Sequence, residues 1–239
     1  GKEKEINEDL LGSSPKSVVS RLLKITEHQR RQSPSLLPPP LGLNDFIDQL
    51  PFVINDTIKR YGSVKPEDGI HDPISELFSR LHLDEEILSR YAYFDESKNY
   101  TRNLVSTDGK TYTLMLLCWN PGKASPIHDH PCDGCWMRMC TGKVRESRYK
   151  MVGEEKLECF SDIVYKDSQL AYIRDSMGYH KVGNPSLTKK SMTLHLYCPP
   201  FDKCRIWLDP NNCKSSYSST CYHSRYGTLV RKNSSCTAK

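Results

Sequence analysis

The chain has 239 residues, enough for one sizeable core or two small ones. Charged residues make up 26% and hydrophobic ones 37%, and no apolar run reaches the roughly 18 residues of a membrane span, so none is expected. The formal net charge of +5 is mild, and no basic stripe with interleaved aromatics occurs, which sets nucleic-acid binding aside.

Taken in chain order, residues 1–42 read as a flexible, Pro-rich extension that ends in SPSLLPPPLG. Its start, GKEKEINEDLLGSS, lacks the apolar core of a secretory leader. Val18, Leu22 and Ile25 fall at roughly helical spacing, which suits a short amphipathic helix with a partner or a partly helical tail. Residues 43–94 read as helical. Leu43, Phe46, Ile47 and Leu50 share one face, which Pro51 is expected to interrupt. DPISELFSRL places Ile74, Leu77, Phe78 and Leu81 on a face, with Asp72 as cap before Pro73. DEEILSRYAYF suits one more short helix.

From about residue 95 to 230 the pattern changes to short apolar or alternating runs: TYTLMLLCW, CWMRMCTGKVRESRYKM, LAYIRD and SMTLHLYC. Turns such as STDGK, NPGKASP and GNPS separate them, which predicts a sandwich or barrel. Residues 231–239 read as a flexible tail. Ten cysteines invite a disulfide reading. Cys118, Cys140 and Cys198 instead lie in or beside apolar runs, where a free thiol acts as a small hydrophobe. The chain is also far longer than small disulfide-stapled domains, so a reducing compartment is expected.

The stretch HDHPCDGC (128–135) raises the question of chemistry. On a strand, residues two apart face the same way, so His128 and His130 can converge while Asp129 points away. By itself H-x-H fits a metal pair or a surface loop. Its surroundings add Gly122 before it, Gly142 after it, and a third histidine, His180, in DSMGYHKVGN. This two-part arrangement resembles the cupin pattern, with two departures: Cys135 takes the place of the usual glutamate ligand, and Gly178 stands one place nearer its histidine. Three neutral imidazoles leave the 2+ charge of a divalent metal uncompensated, which favours a substrate that brings its own anion, such as a thiolate.

Further segments narrow the likeness. YTRNLV (100–105), CWNPGKASPIHDH (118–130), TLHLYCPPFDKC (193–204) and YHSRYGT (222–228) occur in the same order in cysteine dioxygenases. From about residue 90 to 230 the chain resembles that family closely. The resemblance implies a mainly β fold, a cupin-type jelly-roll barrel with N-terminal helices packed on it, in a single catalytic domain spanning 43–230. It implies one Fe(2+) per chain held by His128, His130 and His180. It also implies oxidation of L-cysteine by O2 to cysteine sulfinic acid, a step of cysteine catabolism towards hypotaurine, taurine and pyruvate.

By the same resemblance Arg102 binds the substrate carboxylate, which suits a planar guanidinium, and Tyr100 two residues away helps to fix it. Relatives that act on 3-mercaptopropionate tend to carry glutamine at the Arg102 place. Tyr197 and Cys135 match a pair that forms a thioether crosslink. His195, two residues before Tyr197, is expected to hydrogen-bond the Tyr197 hydroxyl, and Thr193 stands where the family has serine. Cys204 matches a cysteine near the pocket mouth that can pair with substrate. Cys132 replaces a polar residue beside the site. Trp119 and Met177 read as pocket wall or core. The implied enzyme is a cytoplasmic monomer with no nucleic-acid or membrane partner. Two rivals are an enzyme for another small thiol, and a cupin that senses thiol or iron with little turnover.

Overall fold

A computed structural model describes residues 38–65, 72–153, 156–166, 168–212 and 214–231. The segment holding Val18, Leu22 and Ile25, and the tail from 232, lie outside these residues. Leu41 is buried and bridges Leu81.

Helix α1 spans Leu43–Tyr61 and runs straight through Pro51. The expected break does not occur because Phe46, Leu50 and Ile54 form one continuous fully buried stripe. Burying each such side chain is worth about 1.5–3 kcal/mol, and together they outweigh the roughly 3 kcal/mol cost of an interior proline. Gly62, with φ 71°, ends the helix in the left-handed conformation. Helix α2, Pro73–Arg80, has the expected cap, since Asp72 accepts from the Ser75 amide. Helix α3, Glu85–Tyr91, is capped in the same way by Asp84. Among the described residues no helix is long and apolar enough to cross a membrane.

The strands follow in order: β1 Tyr100–Thr107, β2 Thr113–Trp119, β3 Ile127–His128, β4 Gly134–Thr141, β5 Lys143–Val152, β6 Lys156–Lys166, β7 Leu170–Ile173, β8 Tyr179–Gly183, β9 Ser191–Cys198, β10 Lys203–Trp207, β11 Ser216–Ser219, β12 Ser224–Arg225 and β13 Thr228–Leu229. The single run read at 135–151 is thus two strands in different sheets. Gly142 makes the corner at φ 76°, where a Cβ would lie 2.8 Å from that of Ser191.

One sheet has the order β13-β12-β1-β2-β9-β4-β7 and the other β11-β10-β3-β8-β5-β6. Strands β2, β4 and β9 of the first sheet are buried on both faces. Their outer residues Leu114, Leu116, Trp136, Leu194 and Leu196 pack with Phe46, Ile74 and Phe78 of the helices. Their inner residues Met115, Leu117, Met137 and Tyr197 pack with Val144 and Val182 of the second sheet. The result is a mainly β, cupin-type barrel with N-terminal helices against one wall.

Seven cysteines among the described residues are free, Cys118, Cys140 and Cys198 among them, and Cys221 is disulfide-bonded. Cys221 is half-buried and follows β11, the edge strand of the second sheet.

Candidate active site

The site lies between the two sheets. Strand β3 has only two residues, yet it is paired on both sides: His128 stands opposite His180 of β8 and opposite Ile206 of β10. Directly opposed strand residues have Cβ atoms about 5 Å apart, so the pairing alone brings two imidazoles together. The third, His130, follows the strand end. Its amide donates to the Asp175 carboxylate at 2.8 Å, which fixes that turn. Asp129 points away as expected, and its buried carboxylate receives both the amide and the Nε of Arg205, each at 2.6 Å.

The three histidines place one ligand atom each within 4.8 Å of one another. Two of them are held from behind. His128 Nδ1 lies 3.0 Å from the Pro126 carbonyl, and His180 Nδ1 lies 2.7 Å from Glu146 Oε1. Both partners accept, so both Nδ1 atoms carry the proton and both Nε2 atoms are bare. These bare nitrogens nonetheless face each other at 3.2 Å, while both nitrogens of buried His130 have no partner. Converging lone pairs repel, and buried polar atoms without partners are costly; a cation among them removes the repulsion and gives one His130 nitrogen a partner. The residues therefore fit a metal ion. Burial pushes His128 down to about 4, despite the Pro126 carbonyl, and holds His130 and His180 well below the usual imidazole value, so the three rings stay neutral as metal ligation requires.

Glu146 was not singled out by the sequence. Its buried carboxylate accepts from His180 Nδ1, from Arg148 Nε at 3.0 Å and from the Tyr165 hydroxyl at 3.2 Å. It is a carboxylate one bond removed from the ligand set, orienting His180 rather than displacing it. Arg148 also pairs with this carboxylate, so its charge is already balanced within the protein. The local signal was a Glu in an alternating strand beside an Arg, which looks like an ordinary surface pair; only β5–β8 pairing aims it inward.

A small pocket opens over the histidines and is lined by Tyr100, Arg102, His195, Tyr197, Phe201 and Cys204, with His128 and His180 among its other walls. The Arg102 guanidinium donates to the Tyr100 hydroxyl at 2.8 Å. That leaves the Tyr100 proton free to donate to a ligand. Burial opposes the Arg102 charge, but the groups of Tyr100, Tyr197, Cys204 and Tyr222 more than offset this and its pKa rises. Strand β1 is clamped by the YHSRYGT stretch: His223 Nδ1 accepts from the Arg102 amide, and Ser224 Oγ donates to buried Asn103. That stretch thus acts by fixing the backbone beneath the arginine.

Cys135 of β4 is the cross-strand partner of Tyr197 of β9, and both pack in the inner core. Burial holds the Tyr197 phenol and the Cys135 thiol well above their usual values, so both stay protonated. Cys132 packs against the same cluster. His195 differs from expectation. Its Nε2 meets Thr193 Oγ1 at 2.8 Å and its Nδ1 has no partner, so the expected bond to the Tyr197 hydroxyl is not formed. The two rings instead lie with centroids 6.1 Å apart at 26°. Side chains two apart on a pleated strand lean alike, which favours stacking over end-to-end contact. Trp119 lines the pocket and also donates its indole N–H to Thr193 Oγ1 at 2.8 Å. Met177 is not core: it is 39% exposed on a turn outside the pocket.

The family model for cysteine dioxygenase type I matches residues 71–209. Cysteine dioxygenase type 1 of Homo sapiens is 39% identical over 158 residues, covering 65% of this chain and 78% of that protein. The Danio rerio protein of the same name is 32% identical over 182 residues, covering 74% and 89%. Among solved structures, an RmlC-like cupin protein from Desulfovibrio desulfuricans is 16% identical with a TM-score of 0.38, covering 50% of this chain and all (100%) of that one. With a three-histidine metal site in a barrel and these relatives along most of its length, the chain belongs to the cysteine dioxygenase type I family.

Proposed function

We propose that the protein oxidises L-cysteine with O2 to cysteine sulfinic acid at a mononuclear Fe(II) held by His128, His130 and His180. The observation that carries this is a division of labour within one pocket. Two of three neutral, converging imidazoles, His128 and His180, form one wall, and a guanidinium with a paired phenol forms another. Imidazole ligands with open positions suit iron(II), and a bound metal supplies thiolate formation and oxygen activation. Every other part of the task falls to the chain itself.

Arg102 would hold the substrate carboxylate through two charge-assisted hydrogen bonds, with Tyr100 donating a third. This fixes the distance from carboxylate to sulfur and so presents the thiol to the histidine wall, converting an encounter into an oriented contact. Phe201 and Tyr197, with ring centroids 5.0 Å apart, cover the site and limit water. Tyr197, kept protonated, offers a hydrogen-bond donor next to the reacting sulfur, and a thioether to Cys135 would hold its ring in place. The product keeps carboxylate and amine and gains two oxygens on sulfur, so the same arginine serves substrate and product.

The test is oxygen uptake by anaerobically Fe(II)-loaded protein given L-cysteine, with sulfinate quantified. The reading expects one sulfinate per O2. Iron-loaded protein that consumes no oxygen with cysteine, or oxidises it only to cystine, overturns it.

A further inference from the structure

Trp119 closes β2, is 1% exposed, and touches both halves of the pocket. Its ring stacks on Tyr100, with centroids 4.5 Å apart at 30°, and Tyr100 in turn receives Arg102. Its Nε1 donates to Thr193 Oγ1 at 2.8 Å, and the same oxygen lies 2.8 Å from His195 Nε2. Thr193 and His195 are buried at 0% and 2% exposure.

The direction of these two bonds follows from counting protons. An indole N–H only donates, so Thr193 accepts from Trp119. The threonine hydroxyl has one proton, and among the described residues its side chain has no other hydrogen-bond partner than Trp119 and His195. If His195 Nε2 also donated, that proton would be stranded at a buried site with no acceptor. The hydroxyl therefore donates to Nε2, and the neutral ring carries its proton on Nδ1. Without the indole N–H, the Thr193–His195 bond is equally well made in either direction.

We propose that Trp119 is a positioning residue: its indole N–H sets the direction of the Thr193–His195 hydrogen bond, so that His195 keeps its proton on Nδ1 and offers that unpartnered nitrogen as a hydrogen-bond donor at the pocket. The acceptor it suits is an oxygen atom delivered to the pocket with the reaction, or the Tyr197 phenol oxygen once the ring shifts. The second task of Trp119, holding Tyr100 beneath Arg102, depends on the ring face alone and not on the N–H. The two tasks can thus be separated by one substitution.

Trp119→Phe keeps the aromatic face and removes the donor. In metal-free, ¹⁵N-labelled protein, long-range ¹H–¹⁵N correlation of the imidazole signals reports the tautomer, with His195 assigned from the His195→Gln spectrum. Wild type is expected to show His195 with a protonated Nδ1 and a bare Nε2, and Trp119→Phe a mixture of tautomers. Thr193→Val leaves Trp119 in place and is expected to release the tautomer in the same way, which covers the case in which Trp119→Phe fails to fold. In iron-loaded enzyme, kcat for cysteine in Trp119→Phe should fall roughly 3- to 10-fold, the equivalent of one neutral hydrogen bond, with KM nearly unchanged because Tyr100 keeps its support. A wild-type His195 protonated on Nε2, a tautomer unmoved in folded Trp119→Phe, or, where that variant does not fold, one unmoved in Thr193→Val, overturns the proposal, even if kcat falls. The kcat comparison rests on the dioxygenase reading, whereas the tautomer needs no turnover, so failure of one is distinguishable from failure of the other.

Discussion

Arg102→Gln tests the assignment of the carboxylate contact most directly. Glutamine keeps a planar donor on a shorter stem but loses the charge and one arm of the fork. In the wild-type pocket the guanidinium donates to the Tyr100 hydroxyl, and Tyr197 and Cys204 line the same pocket. Truncating one partner of a buried, hydrogen-bonded charge pair costs about 2–5 kcal/mol. At about 1.4 kcal/mol per factor of ten, kcat/KM for cysteine should fall roughly 30- to 4,000-fold. The assay is initial-rate oxygen uptake with iron-loaded enzyme, run in parallel on cysteine and on 2-aminoethanethiol, which keeps thiol and amine but has no carboxylate. The slow reaction of the second thiol should be the same in wild type and variant. Equal losses on both thiols would mean that Arg102 supports the fold or the metal rather than the carboxylate. No loss on cysteine would refute the contact outright. The thermal midpoint of the variant separates a folding defect from a binding one.

Three further outcomes follow from the site. Glu146→Gln keeps the shape but weakens the acceptor that orients His180, and should lower metal affinity about 10- to 100-fold, read by competition with a chromogenic chelator. Cys135→Ser should abolish any mass deficit of two hydrogens that survives reduction between the β4 and β9 peptides, whereas Cys132→Ser should not; retention of the deficit in Cys135→Ser would remove Cys135 from the crosslink. Metal-free protein should lose stability in acid: His128 and His195 titrate near 6.5 when unfolded but are pushed by burial to about 4 and about 3 when folded. Between pH 6.5 and those values the unfolded chain binds more protons, so stability falls as pH falls, by about 3 kcal/mol for His128 alone. Denaturant midpoints that stay flat across this window would contradict the burial of both rings.

Much of this protein is legible without coordinates because its signals are local. Asp72-Pro73 and Asp84 cap their helices through contacts three residues away, and the strand runs of β2 and β9 carry their own apolar pattern. Pro51 was misread because a local penalty was weighed without the buried stripe that overrides it. The 135–151 run was read as continuous because one glycine looks weak as a stop until its positive φ and the crowding by Ser191 are seen.

Spacing along one strand was enough to gather Arg102 with Tyr100, and Thr193 with His195 and Tyr197; His130 lies past the end of β3, so the order of motifs rather than strand alternation joined it to His128. Alternation in a β-strand puts residues two apart on one face whatever the rest of the molecule does. Pairing between strands is another matter. Glu146 behind His180, Trp119 against Thr193, Cys135 opposite Tyr197 in register, and His223 beneath Arg102 all join segments between 34 and 121 residues apart. Such contacts are fixed by which strands share a sheet, and sheet order is chosen by burial of whole faces, a property no short stretch of sequence carries.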